Sequence, residues 1–284
     1  MSKPSRKSPL GRYGVPALAT LVLLAAVVLA LFPAVWMFIS SLKDSNEIFS
    51  LPPTFLVESP SFDNYHRVMF ETNVPRAFVN SMLISSLTTS IVILLSCFAA
   101  YAFARFVLPG GKALSTMLLF GQMMPAVVLL VPLFKIYSRL GLIDSYRVNV
   151  LTNVATNMPM AILTMTAFFR SIPAELDEAG MIDGCGRVGA MFRVVMPISA
   201  PGLVTTGIFA FLNTWEEFMF SMNFVNSARY KTLAVAIKDF KGQFIIDWGG
   251  MMSAAVVISV PVLAVFLFCN RYFIKGLTSG SVKG

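Results

Sequence analysis

Charge is scarce in this chain. Asp, Glu, Lys and Arg make up 13% of its 284 residues, while 56% are hydrophobic; an average soluble domain is about 25% charged. The shortage is also uneven. Residues 15–42, 78–103, 113–134, 148–169, 198–215 and 249–269 are apolar stretches with no charge at their centres. A bilayer crossing needs about 20 such residues, and the fifth stretch reaches that length by continuing past Trp215. An all-α integral membrane protein with six transmembrane helices follows, with no room for a soluble domain.

Other absences exclude whole classes of activity. Ionisable groups buried in a bilayer usually mark proton or ion pathways; their lack speaks against a proton-coupled secondary transporter. The single histidine, His66, lies in the first polar loop, so no intramembrane pair is available for haem. Cys97, Cys185 and Cys269 are scattered, with neither metal-ligand spacing nor a disulfide framework. The phosphate-cradling G-x-x-x-x-G-K-[ST] loop is missing; its nearest look-alike, Gly110-Gly111-Lys112, runs on into Ala113. The chain is therefore expected to bind no metal, nucleotide or other cofactor and not to be an enzyme.

The formal net charge of +8 needs no nucleic acid to explain it. Lys3, Arg6, Lys7 and Arg12 precede the first apolar stretch without any acidic residue, a positive-inside signal that places both termini in the cytoplasm. That stretch exceeds the 7–15 residues or so of a signal-peptide core and reads as a retained span. The expected organisation is an amino-terminal tail over 1–14, a first transmembrane helix over 15–42 and an external loop over 43–77. A five-helix core over 78–269 and a cytoplasmic tail over 270–284 complete it.

What the spans do hold is uncharged polarity. Asn149, Asn153 and Asn157 recur every fourth residue, which puts them on one helical face; Gln122 and Asn213 sit in other spans. Helix packing through hydrogen bonds is one reading, and a path for an uncharged polar solute through Asn153, Asn157 and Asn213 is another. Pro125, Pro132 and Pro159 read as helix interruptions. Glu216 and Glu217, adjacent at the end of the fifth span, point either to solute contact or to pairing with Lys or Arg.

The polar loop over 171–197 is the most informative segment. Pro173 suits a first helical turn, and Glu175, Asp177 and Glu178 follow where the helix dipole favours carboxylates. Gly184 and Gly186 read as a break, and Val188, Met191, Phe192 and Val195 as the stripe of a second amphipathic helix that ends at Pro197. Two short helices at a glycine corner make a shape that docks into a partner's groove.

Glu178-Ala179-Gly180, three residues, Gly184, nine residues, then Val194-Val195-Met196-Pro197 resembles the EAA-x3-G-x9-I-x-L-P loop of bacterial ABC import permeases, with Gly180, Val194 and Met196 as mild departures. Leu140-Gly141-Leu142-Ile143-Asp144-Ser145, the run Trp215-Glu216-Glu217-Phe218 (W-N-E-F in many relatives) and the tail after Arg271 resemble the carbohydrate, maltose-type branch. The resemblance implies a type I importer permease fold and a coupling loop of Glu178, Ala179, Gly180, Ile182, Asp183, Gly184, Val194 and Pro197. It implies a tail reaching the ATPase through Gly276, Gly280 and Lys283. Partners would be a second permease chain, two ABC ATPase subunits that carry ATP and Mg, an extracytoplasmic solute-binding protein and inner-membrane lipid. The cargo would be a di- or oligosaccharide. A non-sugar solute such as a glycerol phosphate or polyamine, and a secondary transporter, stand as alternatives.

Overall fold

The computed structural model describes residues 9–242 and 246–279, with side chains from residue 18 to residue 268 apart from 45 and 243–245. Helix dominates; the one extended pairing among the described residues joins Lys241 to Ile246. The order is α1 (Pro9–Ser41), α2 (Ser45–Ile48), α3 (Asp63–Phe70), α4 (Val74–Arg105), α5 (Gly111–Met123), α6 (Ala126–Arg139) and α7 (Tyr146–Arg170). Then come α8 (Glu175–Ile182), α9 (Arg187–Ala190), a π turn (Met191–Val195), α10 (Met196–Ile198) and α11 (Ala200–Trp215). After α12 (Met219–Phe224), α13 (Leu233–Ala236) and a 3-10 turn (Ile237–Phe240), α14 (Trp248–Ser279) closes the bundle.

Three helical segments are long and apolar enough to cross a membrane alone: Leu18–Ser41, Val74–Arg105 and Trp248–Phe268. Two bent helix pairs pass the same test only when each pair is taken together. The third stretch bends by 99° between α5 and α6 at the expected Pro125 interruption, because Pro125 lacks an N–H and Met124 before it is held extended at ψ 126°. Pro132 and Pro159, expected to interrupt helices, instead lie inside α6 and α7. A bend of 83° at Ser199 separates Arg187–Ile198 from Ala200–Trp215, so α11 starts at Ala200 with Pro201 in its first turn.

The fourth stretch departs differently. α7 has 25 residues, about 37 Å at 1.5 Å each, yet it is not among the helices apolar enough to cross alone. Its position explains why: Val148, Asn149, Asn153, Asn157, Met165 and Phe169 are all buried, packed by α4, α5 and α11. A helix shielded from lipid by neighbours can carry polar groups that a lipid-facing helix cannot. The outermost helix shows the reverse, since Leu18, Leu21, Val28 and Leu29 of α1 are all largely exposed.

The core has a layered form along the bundle. At one end Cys97, Tyr101, Met165, Phe169, Met191 and Val195 pack together. Val92, Ala161 and Ala210 form the middle. At the far end Val68, Val74, Trp215, Leu233 and Ala254 form one cluster, and Tyr137, Val148, Phe220 and Phe224 another. Close helix approach is set by glycine: a Cβ at Gly202 would stand 2.5 Å from Cγ of Phe168, so only a bare Cα lets α11 meet α7 there.

Far-end loops are tied down by polar contacts. Asn80 donates to the carbonyls of Arg229 and Lys231 at 3.0 and 2.8 Å, and Ser81 Oγ accepts from the N–H of Leu233. Lys43, 2% exposed, is folded under the loop that follows it. Its ammonium donates to Thr54 Oγ1 at 2.7 Å, stands 3.7 Å from Glu47 and lies over the Trp36 ring. The sequence gives no sign of this cage.

Candidate functional site

The 171–198 segment sits at the bundle end that holds Arg105 and Arg170, whose guanidinium donates to the Phe103 carbonyl at 3.1 Å. α8 has two faces. Asp177 and Gly180, three residues apart, point inward and are buried. Glu175, Glu178, Ala179, Ile182 and Asp183 are exposed; Ile182 is 86% exposed and Leu176 40%. The outward face therefore joins carboxylates to bare apolar groups.

Gly184 ends α8 in a Schellman motif. Its φ is +90°, its N–H bonds the Met181 carbonyl at 3.1 Å, and the Cys185 N–H reaches back to the Gly180 carbonyl at 3.1 Å. Gly186, read from the sequence as part of the same break, has φ −70° and merely starts α9. Gly180, which stands where the resembled EAA pattern has alanine, faces Val194: an added Cβ would stand 3.1 Å from Val194 Cγ2 and 3.6 Å from Ala190 Cβ. Glycine there lets α8 lie close on the following helix.

The expected second stripe is only half inward. Met191 and Val195 are buried, whereas Val188 is 58% and Phe192 40% exposed. The π turn closes its ring by an i to i+5 bond from the Met196 N–H to the Met191 carbonyl, and this extra residue rotates the register. Phe192 instead packs edge-on against Phe98 of α4. Pro197 does not end the helix; it lies in the first turn of α10, and the break falls at Ser199.

Sequence reading missed the anchor of this loop. Asp177 pairs with Nε of Arg105, the last residue of α4, and both side chains are nearly buried, at 6% and 10% exposure. Asp177 Oδ1 and Arg105 Nη2 have no hydrogen-bond partner among the described residues. The available signal was spacing: Asp177 and Gly180 share a face opposite Glu178.

The asparagine ladder is real and runs along its own helix. Asn157 donates to the Asn153 carbonyl at 2.8 Å and Asn153 to the Asn149 carbonyl at 2.9 Å. Asn213 of α11 donates to Asn157 Oδ1 at 3.2 Å. Asn157 and Asn213, with Thr164, Thr206 and Phe209, line a narrow recess of about 10 Å³ between α7 and α11, room for about one water; Asn153 is not in its lining. Thr206 Oγ1 is buried there without a partner among the described residues, while Thr205 and Thr214 on the same helix bond their own i−4 carbonyls.

The acidic pair splits. Glu217 accepts from the N–H groups of Phe220 and Ser221 at 2.6 and 3.0 Å, capping α12. Glu216 is exposed at the rim of an apolar groove between α1, α11 and α14. The expected Lys or Arg partner is found for neither among the described residues; backbone amides fill that role for Glu217. Of the tail, Gly276 lies in the last turns of α14, and Gly280 and Lys283 lie outside the described residues.

A helical membrane bundle with broken crossings and a packed helical corner at one end has the architecture of an importer permease. The chain belongs to the family of binding-protein-dependent transport system inner membrane components, matched over residues 92–279. It is 37% identical, over 89% of either chain, to the sulfoquinovosyl glycerol transport system permease protein SmoH of Agrobacterium fabrum. It is 33% identical to the trehalose/maltose transport system permease protein MalG of Thermococcus litoralis, over 93% of this chain and 96% of that one. Its fold matches a chain of a bacterial ABC transporter for alginate import with a TM-score of 0.81 at 20% identity, covering 95% and 100% of the two chains. A transport permease component of this family is a membrane protein and is not itself the ATPase, and membership removes the secondary-transporter alternative.

Proposed function

We propose that this chain is one of two membrane-spanning subunits of an ATP-driven sugar importer of the bacterial inner membrane, with a di- or oligosaccharide as cargo. The observation that carries the reading is α8: a short helix whose acidic and apolar outer face is bare while its inner face is locked to the bundle. Such a face suits a groove on a separate subunit. Glu178 and Asp183 offer carboxylates to basic or amide groups there, Ala179 and Ile182 offer apolar contact, and Gly184 fixes the corner. Gly180, Val194 and Pro197 belong to the base that sets the angle. ATP and Mg sit on two ATPase subunits, and their closure swings the coupling helices and with them the spans, a rigid-body switch. ATP works only by favouring one state over the other.

Both termini and the coupling loop face the cytoplasm in this reading, and the tail from Gly276 through Gly280 and Lys283 reaches the ATPase pair. The far-end loops meet a solute-binding protein. A second, different permease chain covers the exposed faces of α5 and α6, where Met117, Phe120, Val127 and Val131 are bare. Sugar as cargo rests on the relatives named for sugar compounds; the uncharged side chains Asn157 and Asn213, which meet between α7 and α11 with Asn153 behind them, are the polar groups such a path would use.

Reconstitution tests it. The chain, assembled in proteoliposomes with its cognate second permease, ATPase and binding protein, takes up a labelled oligosaccharide only with ATP. Uptake restricted to a glycerol phosphate or polyamine would replace the sugar assignment.

A further inference from the structure

We propose that α4 is the rod carrying coupling-loop motion across the membrane, and that the Arg105–Asp177 ion pair is its point of attachment. The proposal rests on the reading of α8 as the coupling helix.

The rod is tied at both ends by side chains no motif contains. At the loop end, Arg105 terminates α4 and meets Asp177 on the buried face of α8. At the far end, Asn80 and Ser81 in its second turn bond the backbone of 229–233, and Tyr146 donates to Asn80 Oδ1 at 2.8 Å. From Asn80 to Arg105 α4 runs without an internal proline, about 38 Å of helix. Displacement of α8 therefore reaches the 229–233 loop without passing through a flexible joint.

The chemistry of the attachment argues for position over stability. A buried ion pair sacrifices hydration that its mutual attraction barely recovers, and apolar replacements of equal volume are often neutral or stabilising. Here the pair is also incomplete, since Arg105 Nη2 and Asp177 Oδ1 remain without partners among the described residues. Packing already fastens α8 on its other flank, through Gly180 against Val194 and Ala190. What the charges add is direction: a guanidinium and a carboxylate fix which turn of α8 faces the end of α4. Asp177 and Arg105 are thus positioning residues.

The test uses the assembled transporter in proteoliposomes and reads bound ATPase, ATP turnover and uptake per ATP hydrolysed. D177N and R105Q should retain bound, active ATPase while uptake per ATP falls about tenfold, within the range of a site-to-site coupling. The exchanged pair R105D with D177R should recover most of the loss, and the apolar pair R105M with D177L should not. Unchanged uptake per ATP in the single variants, or wild-type behaviour of the apolar pair, overturns the proposal. So does loss of bound ATPase from the single variants, which would make the pair a docking element. Should the single variants fail to accumulate, the exchanged chain decides: coupled uptake supports the link, whereas uncoupled uptake or renewed failure to accumulate overturns it. Failure of the coupling-loop reading is visible separately, as normal ATPase binding and uptake in a Gly184→Pro chain.

Discussion

Asp144 shows how much one side chain settles. It holds φ +58°, a left-handed conformation that Asp tolerates through local hydrogen bonding. Its Oδ1 accepts from the N–H groups of Asn226 and Ser227 at 3.0 and 2.8 Å, its Oδ2 takes the Ser227 hydroxyl, and its own N–H bonds the Phe224 carbonyl. The turn between α6 and α7 is thereby fastened to the loop after α12. The Ser227 hydroxyl first, then the Ser227 and Asn226 amides, hold the Asp144 carboxyl below its ordinary range of about 3.8. A lowered folded-state value means the stabilisation is present above about pH 4 and is lost as pH falls through the folded value. The melting temperature of the detergent-purified chain should therefore drop below about pH 4. Asp144→Asn should melt lower at pH 7 and lose less on acidification; parallel curves would contradict this role.

At the scale of elements, glycine and proline decide geometry. Gly202 is where α11 crosses α7 against Phe168. Gly202→Ala should destabilise the bundle by about 1–3 kcal/mol through overpacking, read as a lower melting temperature. Gly186→Ala, with φ −70° and open space around its Cα, should leave it unchanged. Equal losses at both positions would contradict the packing argument. These elements also mark what was readable from sequence. Helix existence and the Gly184 corner were legible because hydrophobic runs and turn chemistry are local signals. The Pro125 break was signalled, but its 99° angle was not. The inward turn of Asp177 and the outward turn of Val188 depend on a π turn and on Arg105, 72 residues away in sequence; no local pattern carries that.

For the whole molecule, the proposed function gives the two ends of the bundle different tasks. At one end the bare face of α8 would dock a partner; the other end holds loops pinned by Asn80, Ser81 and Asp144. The membrane class was legible from composition and the family from a loop pattern. The recess at Thr206 was not, since it exists only where two distant helices meet. The most direct measurement is a mild-detergent purification of the tagged chain co-expressed with its cognate transporter subunits. An ATPase bearing the G-x-x-x-x-G-K-[ST] loop and a second permease should co-purify. Glu178→Arg and Gly184→Pro should release the ATPase at least tenfold, the loss of about 1.4 kcal/mol of binding, while leaving the second permease bound. A chain that retains the ATPase in both variants, or never binds one, would contradict the docking role on which the account depends.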